Sequence, residues 1–192
     1  MPIATFGPAE FQLMLLRRMA DFQPDLVEDA TRALGLPRQA VNDAHRRWQA
    51  MIRSNRFPGG NRRYALILGQ PRAAFERRVG ALTAEVTRWP LPLWPDLRFE
   101  TIAVPGGPVL QEWLVRPDPG TAPRLQSVAD LHPWGCVIGD LAGVFADPQH
   151  SDDGAPSRWA VTFTAADEAG TPRRHLARFV WGLLQATTAL DD

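Results

Sequence analysis

The chain has 192 residues, a formal net charge of zero and 45% hydrophobic residues, which excludes a disordered chain and allows one large or two small domains. No apolar run approaches the length of a membrane span, and the first residues lack the basic and apolar regions of a signal peptide, so we expect a cytoplasmic protein. The single cysteine, Cys136, excludes an internal disulfide and a cysteine metal cage, and its apolar neighbours predict a small core residue.

The zero net charge is the sum of two opposite halves. Residues 1–88 contain 14 Arg and 8 Asp or Glu, and residues 89–192 contain 7 Arg and 13 Asp or Glu. The chain has no Lys, so every formal side-chain cation is a guanidinium, the group suited to forked contacts with phosphate and guanine. A GC-rich genome accounts for the missing Lys but not for the uneven distribution, and the acidic second half argues against a nucleic-acid surface there.

Apolar residues at helical spacing predict three helices in the first part of the chain. The first covers residues 8–22, with Phe11 on its apolar face. The second begins at Pro24 and ends at Gly35, a residue typical of the position after a helix. The third begins at Pro37, which suits a first helical turn.

The next segments predict a turn, a short strand and a fourth helix. Residues 63–69 (RYALILG) are predicted as a short strand or extended segment, and residues 71–89 as the helix. The apolar residues in helical register there are Phe75, Val79, Leu82 and Val86.

The proline-rich segment RWPLPLWPDL (88–97) predicts a domain boundary, giving domains 1–88 and 89–192. After it, apolar residues alternate as in strands at residues 97–104, 108–117, 135–145 and 157–165, and a last helix is predicted over residues 171–190. The predicted fold class is a mainly α N-terminal helix-turn-helix domain followed by a small α+β domain.

The segment ATRALGLPRQAVNDAHRRW (30–48) has the pattern of a helix-turn-helix. Gly35 stands at the turn, small residues such as Thr31 precede it, and Val41 follows six residues later to anchor the second helix. An ordinary pair of core helices is the alternative interpretation. The outward face of the second helix favours DNA, because its side chains suit bases and phosphates and only Asp43 is acidic.

This segment, followed by NRFPGGNRRYALILGQPRAAFERRV, resembles the KorA/TrfB family of plasmid-encoded repressors over about residues 6–85. The resemblance implies a homodimer that binds a palindromic operator, with the second helix of the motif in the major groove. By position, Arg38 matches the arginine at the start of the family's helix and Arg47 the arginine near its end. Asp43 stands where the family's base-reading glutamine is expected, and a carboxylate accepts from cytosine N4.

We therefore expect a transcriptional repressor acting on an inverted repeat, with no catalytic residue, metal or cofactor. The side chains predicted to read or approach bases are Arg38, Gln39, Asn42, Asp43 and Arg46. Those predicted to hold phosphates are Arg47, Arg53, Arg62 and Arg63. Residues 89–192 are assigned to dimerisation, effector sensing or partner binding.

The sequence leaves two other hypotheses about function open. In the first, the protein is an adaptor whose acidic C-terminal domain binds a protein partner. In the second, the segment HSDDG (150–154) with His132, Asp140 and Asp147 forms a small hydrolase or metal centre. The second is disfavoured, because Asp, Gly and Ser clusters are typical of surface turns and no G-x-S-x-G motif is present.

Overall fold

The computed structural model describes residues 6–166 and 170–190. The chain divides into two compact units, residues 1–112 and residues 113–192. The predicted boundary at residue 88 lies inside one strand, and the observed division, after Glu112, lies inside another, whose last three residues belong to the second unit. No α-helix in the described part of the chain is both long enough and apolar enough to cross a bilayer.

The first unit begins with four helices. They are α1 (Pro8–Met19), α2 (Pro24–Ala33), α3 (Gln39–Ile52) and α4 (Asn61–Leu68). The first three confirm the helices predicted from apolar spacing, with Pro in the first turn of α1 and α2. The predicted start of the third at Pro37 is wrong, because α3 begins at Gln39. The fourth occupies the segment predicted as a short strand.

An antiparallel sheet follows the helices, with its strands in the order β1-β2-β3-β4. The strands are β1 (Ala73–Val79), β2 (Leu82–Leu91), β3 (Trp94–Ala103) and β4 (Val109–Val115). On one face of β2, Thr87 and Trp89 approach α4: Asn61 donates to the Thr87 hydroxyl over 3.1 Å, and the Tyr64 ring lies 5.9 Å from that of Trp89. The helices therefore pack on that face of the sheet.

The second unit contains a second antiparallel sheet and short 3-10 segments. Its strands, in sheet order, are β5 (Ala146–Asp152), β6 (Arg158–Ala166), β7 (Pro172–Val180) and β8 (Leu183–Ala189). The core of the unit includes Phe163, Phe179 and Leu184, which are buried together.

The predicted fold class is wrong in both parts. The first unit is an α+β unit in which a four-stranded sheet completes the core, rather than a mainly α domain. The second unit contains no α-helix among its described residues, because the predicted last helix is the β7–β8 hairpin. The segment 135–145, predicted as a strand, instead contains the 3-10 turn Ile138–Leu141.

The fourth predicted helix is wrong for a simple geometric reason. Phe75 lies opposite Val86, and Val79 lies opposite Leu82, on either side of a turn at Gly80. Residues placed symmetrically about a two-residue turn have the same three-, four- and seven-residue spacings as one face of a helix. The apolar pattern therefore fits both structures, and strand pairing decides between them.

A buried polar contact joins α4 to β4 inside the first unit. The Tyr64 hydroxyl donates to the carboxylate of Glu112, and both groups are largely removed from water. Burial raises the pKa of the Glu112 carboxyl, although the Tyr64 hydroxyl and the Arg63 guanidinium act in the opposite direction. Burial and the neighbouring carboxylate also raise the pKa of Tyr64.

The raised pKa of Glu112 predicts a pH-dependent loss of stability. Because the folded chain holds the Glu112 proton more tightly than the unfolded chain, protonation of Glu112 stabilises the fold. This stabilisation is fully present below the unfolded-state pKa of about 4.3 and is lost as the pH rises through the higher folded-state pKa. Glu112→Gln cannot ionise, so we expect its free energy of unfolding, relative to that of wild type, to rise as the pH increases above about 4 and to level off once Glu112 of the folded wild type is ionised. Urea titrations across this range measure the difference.

Glu76 is exposed on β1, so Glu76→Gln is the control for the loss of one carboxylate that is not buried. A difference between Glu112→Gln and wild type that stays constant with pH would contradict the role given to burial.

Candidate nucleic-acid interface

The third helix is fixed through its inner face. Val41, Ala44 and Trp48 are buried and lie on one side of α3. The Trp48 ring meets Phe11 of α1 edge-on with centroids 5.7 Å apart, and it meets Phe57, beyond α3, at 6.1 Å. Because these contacts set the rotation of α3 about its own axis, they also set which residues face outward.

The connection from α2 to α3 is a hydrogen-bonded helix end of the Schellman type. Gly35 has a φ of 69°, and its N–H donates to the carbonyl of Arg32 over 2.9 Å. The Leu36 N–H donates to the carbonyl of Thr31 over 3.2 Å, which completes the motif. The helix end predicted at Gly35 is confirmed, and Thr31 is buried between the helices as its small size allows.

The outward face of α3 brings together most of the predicted DNA-reading side chains. Gln39, Asn42, Arg46 and Arg53 follow one another along one stripe and are exposed. Arg38 stands at the helix start with 77% of its side chain exposed, and the Arg46 side chain is 74% exposed. The stripe combines amides with guanidinium groups, the side chains that form forked hydrogen bonds with adenine and guanine.

Acidic partners accompany two of these cations. The Arg46 guanidinium donates to the Asp43 carboxylate one turn earlier on the same helix. An Arg38 nitrogen lies 3.6 Å from a Glu28 carboxylate oxygen on α2. Ion pairs this exposed contribute about 0–1 kcal/mol, so a phosphate or a base edge can replace either partner at small cost.

The other three side chains predicted to hold phosphates lie outside the stripe. Arg47 leaves α3 toward Phe6, whose ring centre lies 5.5 Å from the guanidinium carbon. Arg62 is exposed but belongs to α4 rather than to a turn, and the half-buried Arg63 lies against the Tyr64 ring at 6.0 Å. The structure thus groups Arg53 with the residues predicted to read bases and places Arg47, Arg62 and Arg63 elsewhere.

The predicted hydrolase or metal segment is part of an exposed strand. Residues 150–152 belong to β5, and the Asp140 carboxylate is bound by Arg116. Among the described residues no group of three His, Cys, Asp or Glu side chains is placed to hold a metal ion. Burial raises the pKa of the Cys136 thiol to about 12, which agrees with the predicted core residue rather than a nucleophile.

Sequence reasoning missed a polar pair in the second unit. Arg116, at the end of β4, and Asp140, in the 3-10 turn, form a bidentate salt bridge with both side chains buried. Neither residue belongs to a recognisable motif, and 23 residues separate them. Only the folded chain brings them together.

The comparisons with known proteins add little to this geometry. No protein-family model matches the chain, and no curated protein matches it. A crystal structure from Streptococcus mutans, described as that of a "putative beta-lactamase inhibitor protein", is 13% identical, covers 71% of this chain and 86% of its own, and has a TM-score of 0.28. A likeness of this size carries no argument about fold or function.

Gly35 gives a direct test of the turn that positions α3. Its φ lies in the left-handed region, and an added Cβ meets nothing within 4 Å, so Gly35→Ala introduces backbone strain without a clash. We expect the free energy of unfolding to fall by about 1–2 kcal/mol, measured by urea denaturation. Gly59→Ala is the matched control, since Gly59 also has open space but no positive φ; equal stability of the two variants would contradict the assignment.

Proposed function

We propose that the protein is a site-specific DNA-binding repressor of the KorA/TrfB type, in which α3 lies in the major groove of an inverted-repeat operator. The observation that carries the proposal is the division of α3 into two faces. Its inner face is fixed by Trp48, and its outer face carries a stripe of amide and guanidinium groups next to a tight turn.

The dimensions of α3 suit a recognition helix. Fourteen residues give a length of about 21 Å, and a helix with its side chains is about 10–12 Å wide, close to the major-groove width of about 12 Å. The N-terminal residues of a recognition helix contact base edges. Arg38, Gln39 and Asn42 occupy that end of α3, while Arg53 follows its last residue.

The proposed roles follow from hydrogen-bonding chemistry. Arg38 and Arg46 suit guanine O6 and N7, whereas Gln39 and Asn42 suit adenine N6 and N7. Asp43 accepts from cytosine N4 or limits the approach of phosphates. Arg53 pairs with a phosphate. Arg47, Arg62 and Arg63 remain proposed phosphate contacts, and for Arg47 and Arg63 this requires the guanidinium to leave the aromatic ring on which it lies.

We propose a homodimer acting in the cytoplasm, because an inverted repeat is read by two copies related by a two-fold axis. Repression then consists of occluding a promoter, with no chemical step. Selection of random duplexes by the purified full-length protein tests the proposal. Enrichment of an inverted repeat, with a steep dependence of affinity on salt, is the expected result.

The roles of individual arginines are distinguishable once a binding site has been selected. Arg38→Ala is expected to weaken binding to that site by about 1–3 kcal/mol and to relax the preference for one base within it. Arg53→Ala is expected to weaken all duplexes alike and to lower the salt slope by about one. Fluorescence anisotropy at several salt concentrations measures both effects.

Arg124→Ala, which removes one exposed cation in the second unit, is the charge-matched control and should change neither quantity. If Arg38→Ala and Arg53→Ala behave identically, the division into base-reading and phosphate-binding residues is wrong.

A second candidate function is that of a protein adaptor. It is favoured by the carboxylate of Asp43 within the outward stripe and by exposed apolar side chains on the β1–β2 hairpin, among them Phe75 and Leu82. In this case α3 is a scaffold, and the selection enriches no sequence.

Asp43→Asn separates the two functions. The substitution releases Arg46 and removes a charge that repels phosphates, so a DNA-binding protein should bind random duplex more tightly and show a salt slope steeper by about one. An adaptor should show no DNA affinity before or after the change. Unaltered affinity in a protein that does bind DNA would remove α3 from the proposed interface.

A further inference from the structure

The second unit contains a half-open cavity of about 370 Å³. One wall is the end of β4 from Trp113 to Arg116, and the facing wall is the 3-10 segment from Val137 to Asp140. Ala122, in the loop after β4, lines the cavity between them. The volume lies within the range of about 300–1,000 Å³ typical of small-molecule sites.

Both walls are hydrogen-bonded to the same tight turn. The Leu114 N–H donates to the carbonyl of Trp181 over 2.6 Å, and the Ile138 N–H donates to the carbonyl of Gly182 over 3.0 Å. Gly182 has a φ of 77°, and a Cβ there would lie 2.8 Å from the Leu114 carbonyl oxygen. One turn therefore anchors the backbone of both walls.

The polar surface of the cavity is the Arg116–Asp140 pair, whose side chains are 10% and 5% exposed. Arg116 Nε lies 3.1 Å from Asp140 Oδ1, and Nη2 lies 3.1 Å from Oδ2. Asp140 Oδ2 also accepts the N–H of Val137 over 2.9 Å. Within the described part of the chain, the hydrogen bonds of the Arg116 side chain come from Nε and Nη2, so Nη1 remains available as a donor on this cavity-lining residue.

The chemistry of this surface selects a class of ligand. The guanidinium and carboxylate neutralise each other, so an ionic ligand would lose its hydration without meeting a net opposite charge. A carbonyl oxygen, in contrast, accepts from Nη1 and satisfies it. Trp113, whose ring lies 6.0 Å from that of Trp159, also lines the cavity, so an aromatic residue is available to pack against a flat molecule.

We propose that this cavity binds a small, uncharged aromatic or heteroaromatic molecule carrying a carbonyl or carboxamide group, whose oxygen accepts a hydrogen bond from Arg116 Nη1. This inference concerns the second unit alone and does not depend on DNA binding.

Three indoles differing in one substituent test the proposal on the full-length protein. Indole-3-carboxamide supplies the neutral acceptor, indole-3-carboxylate the charged one, and 3-methylindole no acceptor. We expect saturable one-to-one binding of the carboxamide by isothermal titration, about tenfold tighter than that of 3-methylindole, because a hydrogen bond to a charged group is added. The carboxylate should bind more weakly than the carboxamide.

Two substitutions locate the site. Ala122→Leu fills the cavity from a loop and should weaken carboxamide binding at least about tenfold, whereas Ala155→Leu, a half-buried loop position outside the cavity, should not change it. Arg116→Lys keeps the charge but removes Nη1, and it should reduce carboxamide affinity to that of 3-methylindole. Thermal unfolding of each variant verifies that the fold is retained.

Three results would overturn the inference: no saturable binding of the carboxamide at millimolar concentration, tighter binding of the carboxylate, or carboxamide binding unchanged by Ala122→Leu. The last would place the bound indole outside this cavity.

Discussion

The ring of Tyr64 is the contact on which the first unit depends, because the helices and the sheet meet around it. It lies within 6.2 Å, centroid to centroid, of aromatic rings contributed by α1, α3, β2 and β3. Each such pair adds about 0.5–1.5 kcal/mol beyond the burial of area. Since Trp48 is one of these partners, the orientation of α3 is determined from inside the core.

The contacts in that core determine the geometry of the proposed interface. A surface that reads base edges must hold its side chains on a rigid element, and α3 is rigid because Val41, Ala44 and Trp48 anchor it. The Schellman turn at Gly35 sets where α3 begins, so it sets where Arg38 stands. The function proposed for the exposed stripe therefore depends on buried residues that never touch a ligand.

The second unit uses a turn in a comparable way. The turn Trp181–Gly182 closes the β7–β8 hairpin and also holds the two walls of the cavity apart through backbone hydrogen bonds. The two walls are distant in sequence, and these hydrogen bonds fix the position of each. Arg116 on one wall and Asp140 on the other form the ion pair that we propose as the polar contact of a bound molecule.

The sequence by itself determined α1, α2 and α3, the helix end at Gly35 and the outward stripe of α3, because helical period and helix-end chemistry act between residues a few positions apart. Only the tertiary structure decided that residues 71–89 and 171–190 form strands rather than helices. Phe179 faces Leu184 and Val180 faces Leu183 across a turn, with spacings that a helix shares. The pairing of distant strands, and likewise the meeting of Arg116 with Asp140, is a non-local interaction that no local pattern encodes.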